Sequence, residues 1–202
     1  MKAVIIGNGA IENYDRAKSY IHNGDFVICA DGGVRHAANM NIVPDLIIGD
    51  FDSSDAGMFK AEKIKYPARK DFTDGELCVK YAAEHGYDDV VMLGMTGSRM
   101  DHTMTDILLL SKCVNGCIAD DNNEIYYIKD TLEIRNKKGM TLSIIPVKGD
   151  LSGIVTEGLE YPLNDETLYY GESRGNSNVV MDDYCKVTVK SGEGIIIINT
   201  GE

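Results

Sequence analysis

The chain has 202 residues, 44% apolar and 26% charged, with a formal net charge of −12. That length buries a core without disulfide or metal staples, and the composition is that of a globular chain of one large or two small domains. Its 20 Lys and Arg residues form no run, which argues against a nucleic-acid surface, and no apolar stretch approaches the ~20 residues of a membrane-spanning helix.

The N-terminal segment MKAVIIGNG has an apolar run too short for a signal-peptide core. The five cysteines, Cys29, Cys78, Cys113, Cys117 and Cys185, are odd in number and scattered. They read as reduced, buried thiols, and a cytoplasmic location is expected.

From residue 1 to about 120, short β-rich runs alternate with helix-like stretches. The runs are KAVIIG, DFVICAD, PDLIIGD, DDVVMLGM and GCIADD. Between them lie YDRAKSYIHNG, VRHAANMN, SDAGMFKAE, TDGELCVKYAAEHG and DHTMTDILLLSKCVNG. Such alternation predicts an α/β unit with a mostly parallel sheet. In the fourth helix-like stretch, Thr73 and Glu76 form a capping box, and Leu77, Cys78, Tyr81, Ala82 and His85 fall on one stripe. In the fifth, Asp101 is the expected N-cap, and Met104, Ile107, Leu108 and Leu110 the apolar side. After DDNN the helical pattern stops. EIYYIKD, TLEIRN, TLSIIPV, ETLYYG, KVTVK and GIIIIN read as strands of an all-β sandwich or barrel. Domains are therefore expected over 1–122 and 123–202.

Ligands of open parallel sheets gather at the carboxyl ends of the strands. Here those ends carry Asp31, the pair Asp50 and Asp52, and Asp120 with Asp121. If extended backbone continues past Gly49, Asp50 and Asp52 point the same way and suit one Mg²⁺. A solvated acidic turn is the plainer reading of the same residues. Asp55 reads as the N-cap of the next helix. A calcium loop is excluded, because Asp55 and Ala61 stand where Gly and Glu are needed. An aspartyl-nucleophile phosphatase is a rival reading, with Asp50 as nucleophile, Asp52 as acid, and Thr96, Lys112 and Asp120/Asp121 in compatible order. That rival assigns no role to ADGG, RKDFTD or GMTGSRMDH. In RKDFTD, Arg69 and Lys70 flank acidic residues, and Asp74 sits in a first helical turn where the dipole favours it. GMTGSRMDH is a strand-to-helix turn whose N–H groups and Arg99 fork suit a phosphate. GNG at residues 7 to 9 lacks the third glycine of a dinucleotide fingerprint, with Glu12 in its place.

Taken in order and spacing, ADGG, PDLIIGDFDS, KDFTD and GMTGSRMDH resemble the motif set of thiamine pyrophosphokinases. TEGLEYPLN and SRGNSN resemble that family's thiamine-side segments, so the resemblance covers most of the chain. It implies an α/β catalytic domain, a β-sandwich thiamine-binding and dimerisation domain, and a homodimer with thiamine near the subunit interface. It also implies transfer of the pyrophosphoryl group of ATP to the thiamine hydroxyl, giving thiamine diphosphate and AMP. On the matching positions, Asp31, Asp50, Asp52, Asp74 and Asp101 surround Mg²⁺–ATP, and Asp50 and Asp52, with Asp74 or Asp101, hold the metal. Lys70, Thr73 and Arg99 help bind the nucleotide, and Ser173, Ser177 and Asn178 face thiamine. There are departures. Ser98 stands where a second Gly is frequent, Asp106 where Asn is usual, and the chain has no Trp, so any stacking on thiamine falls to Tyr or Phe. A same-fold pyrophosphokinase for another alcohol, such as a pterin, and a non-catalytic binder share the acidic motifs.

Overall fold

The structure is a computed structural model and describes residues 1–51 and 57–201. The chain divides into two compact units, Met1–Asp121 and Asn122–Glu202.

The first unit runs β1 (Lys2–Ile6), α1 (Tyr14–Ser19), β2 (Phe26–Ala30), α2 (Val34–Asn39), β3 (Leu46–Gly49), β4 (Glu62–Lys65), α3 (Asp74–Glu84), β5 (Asp89–Leu93), α4 (Met100–Leu109) and β6 (Asn115–Ala119). Its strands lie in the order β6-β5-β1-β2-β3-β4, all parallel. Residues 3–6 of β1 and Leu46–Ile48 of β3 are essentially inaccessible, as a sheet covered on both faces requires. The order reverses between β1 and β5: β1 is followed by β2, β3 and β4 on one side, and the chain then crosses back to β5 on the other. That reversal opens a crevice beyond the carboxyl ends of β1 and β5.

Four local readings differ from the sequence pattern. No α-helix occupies the described part of 54–62; residues 62–65 instead form β4, parallel to β3. Its sequence EKIK is charged and mostly exposed, which is how an edge strand is protected, so it lacks the apolar run that marks the others. Asp55 lies outside the described residues. Helix α4 begins after Arg99, so Asp101 falls in its first turn and is not the N-cap. That helix buries Thr103, Asp106, Ile107 and Leu109 and exposes Met104 and Leu108. In α3, Leu77, Cys78, Val79 and Ala82 are buried, while His85 is exposed and stacks on Tyr81 with ring centroids 3.8 Å apart.

The second unit contains β7 (Asn123–Ile128), β8 (Thr131–Arg135), β9 (Thr141–Pro146), β10 (Leu151–Glu157), β11 (Asn164–Leu168), β12 (Asn178–Val179), β13 (Tyr184–Thr188) and β14 (Gly194–Asn199). They form two antiparallel arrays, β12-β9-β14-β7 and β11-β10-β13-β8. Leu142, Ile144 and Ile196 of one array meet Ile154, Leu168 and Val187 of the other in a single apolar cluster. Alternation of buried and less buried residues along β9 and β13 produces that one-sided core. Strand β10 was not legible in sequence. Gly153 interrupts it with φ 65°, and the pairing with β11 slips register there, so LSGIVTE shows no clean alternation.

Candidate active site

A cleft of about 560 Å³ opens at the β1/β5 reversal. Its walls are the turns after β1, β2 and β5 and the first turns of α3 and α4. The turn after β1 is bound to the turn after β5 by backbone: Gly7 N–H donates to Leu93 O (2.8 Å), Gly9 N–H to Gly94 O (2.7 Å) and Ala10 N–H to Thr96 O (2.7 Å). A Cβ on Gly9 would collide with the Thr96 carbonyl oxygen, so glycine is required for this approach. These donors are thereby occupied, and GNG serves as scaffold; it is no phosphate cradle at those positions. Behind it, His36 Nε2 lies 2.8 Å from Gly9 O. A carbonyl only accepts, so Nε2 carries the proton and Nδ1 accepts from Tyr14 O–H at 2.9 Å. Gly33 has a similar steric role, because its Cβ would run into the Ile6 carbonyl oxygen.

The carboxylates gather where β2, β3 and α3 meet. Asp31 follows β2 with φ 41°, a left-handed backbone that a non-glycine residue adopts at a cost. Burial pushes its carboxyl up, and the charges of Asp50 and Asp74 push it further, against hydrogen bonds from the Phe51 and Gly32 N–H groups. Asp31 Oδ1 is buried and finds no hydrogen-bond donor among the described residues. Asp74 opens α3, where Thr73 Oγ1 accepts the Glu76 N–H at 3.1 Å. Asp74 Oδ1 is also buried; the Lys70 ammonium lies 2.8 Å away as an ion contact without hydrogen-bond alignment.

The extended continuation that would align Asp50 with Asp52 is not present. β3 ends at Gly49, and Phe51 has φ 58°. Asp52 lies outside the described residues. Among the described residues no group of three His, Cys, Asp or Glu side chains converges as a metal site. Even so, Asp31 lies within the charge of Asp50 and Asp74, and Asp31 Oδ1 and Asp74 Oδ1 are both buried without a hydrogen-bond donor, a donor chemistry that suits a hard cation such as Mg²⁺.

On the other side of the cleft, Arg99 grips Asp101 with two parallel bonds, Nε to Oδ1 at 2.9 Å and an Nη to Oδ2 at 2.6 Å. The guanidinium beside it holds the Asp101 carboxyl well below the usual carboxylate range. Both side chains are exposed; Arg99 lines the cleft and Asp101 does not. Gly97 N–H is occupied by Thr103 Oγ1 at 3.2 Å. Thus Asp31, Asp50, Asp74, Lys70 and Thr73 are brought together, whereas Asp101 is set apart in its own ion pair. Asp106, on the next turn of α4, lines the cleft and is 8% exposed; burial lifts its carboxyl to about 6, with His102 opposing. The sequence marked Asp106 only as a departure from the family's usual Asn; its burial against the cleft was not read. The available signal was a carboxylate at a buried offset of an otherwise amphipathic helix.

The roles needed for a phosphatase are filled otherwise. Both oxygens of Asp121 accept backbone N–H groups, from Glu12 at 2.9 Å and Asn13 at 2.8 Å. Thr96 Oγ1 donates to Asp120 at 3.2 Å, and Lys112 is paired with Glu76 at 2.6 Å.

In the second unit, SRGNSN forms a tight turn pressed onto β9. Asn176 N–H donates to Ser173 O (3.0 Å), and Ile144 N–H to Gly175 O (2.9 Å). A Cβ on Gly175 would collide with the Ile144 carbonyl oxygen. Ser177 has φ 60° and donates its N–H to Ser143 Oγ at 3.1 Å. The Asn178 carboxamide accepts from Tyr161 N–H (3.0 Å) and donates to Tyr161 O (2.8 Å). The Tyr161 side chain itself is exposed.

An open parallel sheet with a carboxylate-lined cleft at its strand reversal defines an α/β protein built to hold a nucleotide or similar phosphate ligand. Two family profiles match in tandem: the catalytic domain of thiamin pyrophosphokinase over residues 17–119 and its vitamin B1 binding domain over 129–196. The chain belongs to the thiamine pyrophosphokinase family. It is 30% identical over 185 residues to thiamine pyrophosphokinase of Bacillus subtilis (strain 168), covering 85% of each chain. It is 26% identical over 201 residues to thiamine pyrophosphokinase 1 of Oryza sativa subsp. japonica, covering 81% of this chain and 75% of that one. The crystal structure of the Bacillus subtilis thiamine pyrophosphokinase shares its fold, with a TM-score of 0.89 over 99% of both chains at 23% identity.

Proposed function

We propose that this chain transfers the pyrophosphoryl group of ATP to the hydroxyl of thiamine. The hydroxyl oxygen bonds to the β-phosphorus, the bond from that phosphorus to the α,β-bridging oxygen breaks, AMP leaves, and the hydroxyl proton passes to a carboxylate. The observation that carries this reading is the pair of buried, unbonded carboxylate oxygens of Asp31 and Asp74 in the cleft wall, with the Asp50 charge acting on Asp31 and Lys70 held against Asp74. Named relatives matching both halves of the chain support it.

Mg²⁺ arriving with ATP would be held by Asp50 and Asp74 with Asp52, and would offset charge on the phosphates. Asp31, its backbone donors fixed, supports that set from beneath. Lys70 restrains Asp74 and adds a cation to the phosphate side. Arg99 offers its fork to the nucleotide, and Asp101 holds that fork in place; Asp101 joins the metal set only when the Arg99 pair opens. Alignment of hydroxyl and phosphorus supplies much of the rate enhancement in such transfers.

In the second unit, Ser173, Ser177 and Asn178 form the thiamine-side segment. Asn178 acts there by clamping Tyr161, whose exposed ring supplies the aromatic surface in a chain without Trp. The β-sandwich serves as thiamine-binding and dimerisation domain, and the active form is a cytoplasmic homodimer. No helix among the described residues is long and apolar enough to cross a membrane.

Incubation with ATP, Mg²⁺ and thiamine, followed by chromatography and ³¹P NMR, tests the reaction. AMP and thiamine diphosphate formed together, and only with thiamine present, support it. ADP, free phosphate or no turnover overturns it, and turnover with a pterin alcohol in place of thiamine reassigns the acceptor. Light scattering tests the dimer.

A further inference from the structure

Asp106 is the buried carboxyl of the cleft that the reaction above does not use. It sits on the cleft face of α4, one turn below His102, and is 8% exposed. Among the described residues no donor hydrogen-bonds to it. Across from it stands Gly75, in the first turn of α3; a Cβ there would reach Asp106 Oδ1 at 3.4 Å and the Met95 Sδ and Cε at 3.8 Å. This part of the cleft lining is thus a bare glycine, a soft thioether and one carboxylate acceptor that no protein donor occupies among the described residues.

The Asp106 oxygens open onto the cleft, so a ligand that fills it and shuts out water must bring a donor of its own, since an acceptor then left without one costs about 1–3 kcal/mol. The ligand atoms that reach it are not phosphate, because an anion beside a buried carboxylate is repelled. The polyphosphate has its own place, next to Lys70 and the carboxylates at the ends of β2 and β3. What remains of a nucleotide is the nucleoside, which is uncharged, partly flat and rich in N–H and O–H donors. A thioether beside a side-chain-free glycine suits such a flat surface.

We infer that Asp106 is the specificity-determining acceptor for the nucleoside half of the donor nucleotide, taking a hydrogen bond from its base amino group or from a ribose hydroxyl. This rests on the nucleotide-dependent reading of the cleft, and it goes beyond that reading by naming the residue that inspects the nucleoside. Asp106 is ionised near neutral pH, since burial lifts it only to about 6, so it accepts and does not donate. An edge presenting acceptors alone is therefore rejected.

The test is calorimetric binding of ATP, ITP, 2′-deoxy-ATP and 3′-deoxy-ATP, each with Mg²⁺ and without thiamine, to the full chain and to Asp106→Ala and Asp106→Asn. Because binding is read without turnover, failure of the inference is distinct from failure of the transferase reading, which the product assay decides. On the unaltered protein, the analogue lacking the inspected donor should bind about tenfold more weakly than ATP or worse. ITP identifies the amino group, and the deoxynucleotides identify the hydroxyl. On Asp106→Ala that same analogue and ATP should bind within about twofold of each other, the signature of a coupled pair. Asp106→Asn, which both accepts and donates, should narrow the gap for ITP if the base is inspected. The inference is overturned if every analogue loses the same factor on all three proteins, or if Asp106→Ala binds ATP as the unaltered protein does. Melting curves of both variants confirm that each is folded.

Discussion

Arg99 and Asp101, two residues apart at the start of α4, are locked in a bidentate ion pair at 2.9 and 2.6 Å while both remain exposed. An exposed pair of this kind contributes little to stability. Its value lies in geometry, since a forked guanidinium held in one orientation is ready for a second set of oxygens. Asp101→Asn is expected to leave the melting temperature essentially unchanged and to raise the KM for ATP about tenfold, with a smaller effect on kcat. Arg99→Lys should behave alike, because the point charge stays and the fork is lost. An unchanged KM in both variants would remove Arg99 from the nucleotide site.

Burial, and after it the charges of Asp50 and Asp74, raise the proton affinity of Asp31, so the site carries electrostatic strain before any ligand arrives. Asp31 thus binds its proton more tightly in the folded chain than in the unfolded one. Its contribution to stability is present at low pH and is lost as pH rises through its raised folded value. Asp50→Asn should relieve part of that loss, raising the melting temperature at neutral pH without Mg²⁺, while Mg²⁺-dependent AMP formation falls by at least about a hundredfold. Addition of Mg²⁺ should stabilise the unaltered protein more than the variant. Near-normal activity in Asp50→Asn, or equal Mg²⁺ stabilisation, contradicts the metal assignment.

Much of this was legible in the sequence where one physical rule acted alone. The buried parallel strands carry continuous Val, Ile and Leu runs, and α3 carries its Thr73 cap, so both announced themselves. β4 and β10 did not, because edge protection and a glycine bulge erased the apolar alternation that strand recognition uses. The acidic motifs marked strand ends correctly, but spacing alone could not show that the chain turns left-handed at Phe51, nor that Asp101 faces Arg99. Asp106 was marked only as a departure from the usual Asn, and its place in the cleft escaped because burial depends on which face α4 turns inward. Met104 and Leu108 suggested the wrong face by hydrophobicity, and contact with α3 decided otherwise.

Gly175 lies against the carbonyl of Ile144, with no room for a methyl group, in the turn that presents Ser173 and Ser177. Gly175→Ala must push that turn off β9. The expected result is a loss of roughly 1–3 kcal/mol in urea unfolding, with the KM for thiamine raised about tenfold or more. The KM for ATP should stay within about twofold, because the carboxylate cleft belongs to the other unit. If both constants rise together, the turn is not specific to thiamine.

Asp106 links the cleft to a pH-dependent stability that can be measured without any ligand. Its carboxyl is held at about 6 by burial, against an ordinary 3.8, with His102 on its own helix pulling it down and Asp74 and Glu76 presented by the facing α3. Below the ordinary value both folded and unfolded chains keep the proton, and the folded chain bears no penalty. As pH rises from about 4 to about 6 the unfolded chain releases it first, and stability falls. Above about 6 the loss is complete, and the gap corresponds to about 3 kcal/mol at most. Asp106→Asn removes the charge but keeps the shape. The variant should melt higher than the unaltered protein at pH 7.5 by several degrees, and the two curves should converge by about pH 4. Because the comparison is a difference between two proteins, the titration of Asp31 and the other shared groups largely cancels. A difference in melting temperature that is the same at pH 4 and pH 7.5 would show that the Asp106 carboxyl is not ionised against its burial, and would take with it the acceptor on which nucleoside selection depends.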